Sequence, residues 1–402
     1  MNVPKLRFKE FNDEYNLISF GDLVDYQKGF AFKSKDYKNN GIRIIRISDT
    51  TANSINNLDG IYIDAQEKGK YMNVELKTND IIISSVGSKP PLYDSMVGKV
   101  VLVPEHANGS LLNQNAIRFR SKRANQIYLY NYLKQNKYTS FIESIMRGNA
   151  NQRSITLEDL FKFELYVPNI NEQNKVAKTL ELLDRKIELQ SKKIEDLKLF
   201  KSSQIKYILN KSISNEFPLK DLGYFISGNS FGKDKITQNG EPVVLYGDLY
   251  TKYDEEINCV EQFVEDNPKY IKSEIGDLLF PTSTTVDAIS LISPSVINVS
   301  NVVYGGDLII FKSNKDLVNP TFLSYQINHL KKKEFSKRAQ GSTIIHISSE
   351  ALLNSKVKIP SIEIQNSISN FGTFINNKIN LEIEKLDKLN ELKKELMQNM
   401  FV

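Results

Sequence analysis

The sequence predicts an α+β fold of two similar globular halves, each followed by a long helix, with the two helices paired as a coiled coil. Three observations carry this. Residues 171–210 recur as residues 363–402 without a gap, so that Pro168 falls on Pro360, Gln173 on Gln365, Ile187 on Ile379 and Leu197 on Leu389. Apolar residues within each copy step by three and four, the spacing of one helix face. Ahead of each copy, strand and turn signals follow one another in the same order.

The helices come first. The seam holds Val176, Leu180, Leu183, Ile187, Ile194, Leu197 and Ile208, and in the second copy Ile368, Gly372, Ile375, Ile379, Leu386, Leu389 and Met400. Polar residues interrupt it at matching places, Gln190 with Glu382 and Lys201 with Lys393. Pro168 and Pro360 precede the helices, where proline is tolerated. At about 1.5 Å per residue each helix spans roughly 60 Å, too long for one small core, so each copy is the natural partner of the other. A second apolar stripe lies off the seam: Leu182, Leu189, Phe200, Ile205 and Leu209, with counterparts Phe374, Leu381, Leu392, Met397 and Phe401. A helix pair cannot cover both stripes. Either the globular domains cover the second, or helices of partner subunits dock there.

The globular halves repeat as well. Asp22-Leu23 matches Asp221-Leu222, Gly29 matches Gly228, Gly41 matches Gly240 and Asp49 matches Asp248. Asn79-Asp80 and Gly276-Asp277 each turn into an aliphatic strand. Residues 97–104 parallel 287–294, 115–120 parallel 307–312, and 147–160 parallel 340–353. A short amphipathic helix is expected near 128–135 and 322–330. The expected domains are 1–167, 168–210, 211–359 and 360–402. The framework keeps its spacing while the loops differ, as 84–96 against 281–287 shows. A repeated scaffold with divergent loops suits two similar tasks on two different targets; drift after duplication is the bland alternative.

Composition narrows the function. Hydrophobic residues make up 40% of the chain, enough for real cores. Net charge is +5, which permits nucleic-acid binding without arguing for it. Cys259 is the single cysteine, so the chain has no disulfide and no cysteine-based zinc site, which fits a reducing cytoplasm. No apolar run approaches membrane-spanning length, and the charged N-terminus lacks a signal-peptide core. The adenine-methyltransferase motif is absent, with Lys89-Pro90-Pro91-Leu92 wrong at both ends. The stretch from Gly228 to Asp234 has the wrong spacing for a phosphate-binding loop. The three histidines, His106, His329 and His346, are scattered, and no metal site is expected.

Reading DNA needs cations for phosphates and planar donors and acceptors for base edges. The divergent loops supply both. In the first half these are Lys28, Lys33 and Lys35, then Lys89 and Tyr93, then Arg147, Asn149, Asn151, Gln152 and Arg153. In the second they are Lys233 and Lys235, then Tyr246, Thr282, Ser283 and Thr284, then Lys337, Arg338, Gln340 and His346. Each residue alone also fits a solvated loop; the clusters at matching places favour DNA.

Two such domains, each followed by a similar long helix, resemble the specificity subunits of type I restriction-modification enzymes. The resemblance spans the chain. It rests on Pro4-Lys5-Leu6-Arg7-Phe8, on Gly21-Asp22-Leu23 with its diverged partner Lys220-Asp221-Leu222, and on the strand openings at 79 and 276. Residues 341–347, GSTIIHI, follow the usual form, while 148–155 depart from it by one insertion. The resemblance implies a subunit without chemistry of its own, whose two target-recognition domains bind a two-part sequence in double-stranded DNA. It implies two methyltransferase subunits, and restriction subunits where present, which themselves bind S-adenosylmethionine, ATP and magnesium. The residues add a physical reason: two similar domains on an antiparallel coiled coil are related by an approximate twofold axis, so they can straddle DNA like a dimer. Two other readings stay open: a coiled-coil assembly protein whose heads bind protein or carbohydrate, and an enzyme complete in itself.

Overall fold

The structure, a computed structural model, describes residues 3–51, 54–57, 60–89, 92, 95–149, 152–212 and 214–402, with the side chain of Lys233 outside that description. Two of the expected DNA-reading residues, Tyr93 and Asn151, lie outside the described residues. The chain forms two compact units, Met1–Leu189 with Leu386–Val402, and Gln190–Lys385.

Both units are built to one plan. In the first, strands Val24–Lys28, Ala116–Ser121, Ile81–Ser84 and Val100–Leu102 form an antiparallel sheet in that order. In the second, Gly223–Ser227, Leu308–Ser313, Asp277–Pro281 and Ser295–Ile297 repeat it, and Glu256–Ile257 adds a parallel edge. The turns before Ile81 and Asp277 need a left-handed residue, and Asn79 (φ 67°) and Gly276 (φ 92°) supply it. A smaller sheet packs beside each: Ile42–Ile45 with Ile61–Ile63 and Leu111–Leu112, and Glu241–Val244 with Phe263–Val264 and Val303–Tyr304. A two-stranded ribbon closes each unit, Asn16–Ser19 with Glu164–Val167, and Asn215–Pro218 with Lys356–Ile359.

The long helices run Ile170–Lys211 and Ile362–Asn399. Each starts with the same clamp. Gln173 donates to the carbonyl of Pro168 (2.8 Å) and accepts from the Asn125 amide (2.8 Å). Gln365 donates to Pro360 (3.0 Å) and accepts from Asn319 (2.9 Å). Asn125 and Asn319 in turn cap the short helices Gln126–Tyr132 and Pro320–Gln326. Repeated glutamines thus satisfy backbone groups that burial would otherwise strand. In the first unit Arg7 adds a bidentate pair with buried Glu172, both contacts 2.8 Å, so the N-terminal segment is tied to the helix start.

Within each unit the helix segments run antiparallel. In the second, Gln190 donates to Glu382 (2.6 Å) while Lys201 donates to Asn376 (2.8 Å), so one number rises as the other falls. In the first, Asp184 pairs with Lys393, while the lower-numbered Val176 and Leu180 share a core cluster with the higher-numbered Met400 and Phe401. The seam glycine, Gly372, has a packing reason: a Cβ there would lie 2.3 Å from Cζ of the buried Tyr325 ring. Among the described residues no helix is long and apolar enough to cross a membrane.

The off-seam stripe divides in two. Ile205 and Phe401, offered as partner-docking residues, are buried, and so is Leu209. Ile205 and Leu209 enter the core of the second unit, beside Leu219, Phe322 and Leu352. Phe401 enters the core of the first, 5.2 Å and 5.7 Å from the rings of Tyr128 and Tyr132, with Met397 packed against the same cluster. The C-terminal end of the first helix and the residues that close the second therefore anchor a globular core, and these residues are not a docking surface. Leu182, Leu189, Phe200, Phe374, Leu381 and Leu392 stay exposed, from 44% for Leu392 to 64% for Phe374.

Candidate nucleic-acid interface

In each unit the structure joins two loops that lie far apart in sequence. In the first, Arg147–Asn149 pairs with Gln152–Ser154, and this hairpin pairs in turn with Val86–Gly87. Gly148 makes it possible: its φ is 111°, and a Cβ would lie 2.6 Å from the Gln152 carbonyl oxygen. In the second, Ser283–Thr284 pairs with Ile345–His346, and Gln340 and His346 exchange backbone hydrogen bonds of 2.8 Å and 2.7 Å. A narrow β-ribbon of this kind fits the major groove of duplex DNA.

The hairpin of the first unit presents Arg147, Asn149 and Gln152 to solvent. Arg147 is largely exposed but leans on Asp159 at 2.7 Å. The Thr156 hydroxyl, then Lys162 and Arg147, hold the Asp159 carboxyl below the usual carboxylate range, so it orients Arg147 while charged. Arg153 is half-buried, and its Nε has no hydrogen-bond partner among the described residues. Lys89 is exposed just beyond the strand that pairs with Arg153. Lys28 and Lys33 are exposed elsewhere, on the edge strand of the main sheet and the loop after it.

In the second unit Gln340, His346, Lys337 and Arg338 are exposed. Ser283 and Thr284 are not available as readers: both are buried, at 4% and 2% exposure. They support the ribbon instead, Thr284 accepting from the Val286 amide and Ser283 donating to Asp307 (3.2 Å). Lys235 is exposed and paired with Glu265 at 2.8 Å, which raises its pKa. The helical turn Lys233–Lys235 carries the backbone of Lys233, whose side chain lies outside the description. Tyr246 and Thr282 line one cleft of about 700 Å³ with Phe231, Asn229 and Asp307.

Two residues at this face escaped the sequence reading, Asn115 and Asp307. Both adopt left-handed backbone, φ 68° and 56°. Both accept from the next loop at their carbonyl, Asn115 from the Ser85 amide and Asp307 from the Thr282 amide, each at 2.9 Å. The signal was their place just before matching strands, 116–121 and 308–313. The two units differ alongside. Phe30, Phe32 and Tyr71 pack edge-on or tilted against one another in the first, each pair of ring centres 5.0 Å apart. In the second, Phe231 and Tyr270 keep their contact at 5.4 Å, but Asn229 stands where Phe30 stood and bonds the Ile271 and Tyr304 carbonyls. One framework thus carries two different surfaces.

Comparison with known proteins agrees with this double construction. The chain is 22% identical over 424 residues to the MjaX specificity subunit assigned to a type I restriction enzyme of Methanocaldococcus jannaschii, covering 98% of this chain and 95% of that one. It is 21% identical over 225 residues to the MjaVIII type I specificity subunit of the same organism, covering 56% of this chain and 51% of that one. In fold it is similar to the crystal structure of a type I restriction-modification S subunit from M. genitalium, with TM-score 0.64, 17% identity and coverage of 100% and 99%. A chain from a structural study of type I assembly and conformational transition matches with TM-score 0.55, 16% identity and 98% coverage of both chains. The family model described as the type I restriction modification DNA specificity domain matches twice, at residues 12–199 and 212–394, and the chain belongs to that family.

Proposed function

We propose that this chain is a non-catalytic subunit that gives a type I restriction-modification complex its DNA specificity. Each globular domain reads one part of a two-part target in duplex DNA. Two methyltransferase subunits dock on the long helices, with restriction subunits where these exist. S-adenosylmethionine, ATP and magnesium belong to the partners. One observation carries the reading: the same ribbon is built twice on one framework, with Arg147, Asn149, Gln152 and Arg153 on one copy and Gln340 and His346 on the other. Arginine, asparagine and glutamine side chains grip guanine and adenine edges with paired hydrogen bonds.

The test exchanges residues 1–167 for the equivalent domain of a relative and maps the methylated motif in cells carrying the cognate methyltransferase. One part of the motif is expected to change while the other stays. A motif that changes in both parts would show that the domains do not read independently.

The exposed half of the off-seam stripe gives a second expected result. Phe374→Ala should weaken methyltransferase binding by about 2 kcal/mol, the scale of an interface hot spot, or roughly 30-fold. Its effect on the unfolding temperature should be small, because the side chain is 64% exposed in this chain. Titration of the purified chain with methyltransferase reads the first and thermal unfolding the second. Unchanged affinity would place the docking surface elsewhere.

A further inference from the structure

We infer that Asp307 sets specificity in the second recognition domain by accepting a hydrogen bond from the amino group of an adenine or a cytosine; the inference rests on the DNA-reading function proposed above. Backbone geometry alone does not call for a carboxylate there. At φ 56° any short, left-handed-tolerant residue would serve, and Asn115 does so at φ 68° in the matching place. The carbonyl of Asp307, not its carboxylate, holds the loop, accepting from the amide (2.9 Å) and hydroxyl (3.0 Å) of Thr282. The carboxylate accepts from Ser283 at 3.2 Å through Oδ2, and Oδ1 has no partner among the described residues. The side chain is exposed, on the wall of the cleft that Tyr246 and Thr282 line.

Charge and hydrogen-bonding chemistry then choose the ligand. A carboxylate repels phosphates, so this oxygen is not a backbone contact. It repels the acceptor edges of thymine O4 and guanine O6 and N7, and it suits the amino groups of cytosine N4 and adenine N6 in the major groove. Guanine's amino group lies in the narrower minor groove, whereas the major groove admits a two-stranded ribbon such as 283–284 with 345–346. Asn115 has a donor as well as an acceptor, so the two domains pose different demands from one structural position.

The test uses the full chain with its cognate methyltransferase. Native DNA from cells carrying wild type, Asp307→Asn or Asp307→Gly is sequenced for methylation. The purified complexes are then titrated with duplexes altered one base pair at a time. Both variants keep the left-handed turn, so the first part of the motif and the spacer should persist. At one position of the second part, adenine or cytosine on one strand in the wild-type motif, preference should fall roughly tenfold or more. Purine in place of that adenine, or the pyrimidinone lacking N4 in place of that cytosine, should weaken wild type equally and leave Asp307→Gly unaffected. These two duplexes also tell the bases apart. Unchanged preference at every position, or weakening equal for all sequences, would overturn the assignment to Asp307. Absence of any two-part motif with wild type would instead overturn the specificity function itself.

Discussion

Lys201→Ala is expected to destabilise the second unit by about 3–5 kcal/mol, the cost of removing one member of a buried ion pair. Lys201 and Glu255 are buried at 5% and 7% side-chain exposure and meet at 2.7 Å and 2.9 Å. His329 Nε2 lies 2.7 Å from the same carboxylate, and Asn376 takes the remaining Lys201 contact at 2.8 Å. Next to it Glu256 accepts from Tyr325 and from Thr373, and Asn376 donates to Tyr325. Both long helices and the short helix Pro320–Gln326 thus converge on two acidic side chains of the second unit. Removing the ammonium leaves Glu255 buried without its main counter-charge. Lys201→Met with Glu255→Gln should recover much of the loss, because neither replacement is charged. Thermal unfolding of the full chain with its methyltransferase reads both. A Lys201→Ala chain that melts with wild type would mean that water or a rearranged His329 compensates.

The same groups set the response to acid. Burial alone would raise the Glu255 pKa, but His329 and Lys201 outweigh it and hold the carboxyl far below its ordinary range. Glu382, bonded by Gln190, Lys193 and Lys385, is held down to about 2 from 4.5. A depressed folded-state pKa contributes stability that is fully present above the unfolded value and is lost as pH falls through the folded one. The second unit should therefore hold its helix contacts at pH 5 and above and lose the Glu382 share between about 4.5 and about 2. Lys201→Ala removes part of the Glu255 share and should start the acid transition at higher pH.

Much of this architecture was legible because repetition doubles every signal. Gln173 and Gln365 fall on each other in the repeat, and each clamps its helix start to a capped neighbour. Gln190 and Glu382 interrupt the seam at equivalent places, and they meet each other. Helical period gives the face of a side chain but not what lies over it. It grouped Ile205 and Phe401 with Leu182 and Phe374, although the cores of the two units claim the first pair and leave the second exposed. Lys201 read as a polar break in the seam because its partner lies 54 residues away in another element. In the recognition loops residue type was readable and burial was not: Ser283 and Thr284 looked like surface donors, yet strand pairing buries them. Asp307 went unnoticed because it opens a strand in sequence, and only the fold sets its carboxylate on the cleft wall beside Tyr246 and Thr282.

Lengthening the first helix by four residues between Gln190 and Lys193 is expected to lengthen the gap in the methylated motif by about one to two base pairs. The helix Ile170–Lys211 is unbroken, and on the proposed function its length sets that gap. Four residues add roughly 6 Å at about 1.5 Å per residue and nearly complete a 3.6-residue turn, so the seam keeps its face. DNA rises roughly 3.4 Å per base pair, which gives the expected step. Two inserted residues should have the larger effect. They rotate the seam by about 200°, which takes Gln190 off Glu382 while Lys193, Lys201 and Ile205 keep their places in the second unit. Helix contacts on one side of the insertion then oppose those on the other, and assembly with the methyltransferase should fail. Methylation mapping of DNA from cells carrying each variant separates the cases. The four-residue variant should keep both half-sequences with a longer gap, and the two-residue variant should leave DNA unmodified. Full methylation with the original gap in the four-residue variant would show that the helix tethers the two readers without measuring the distance between them.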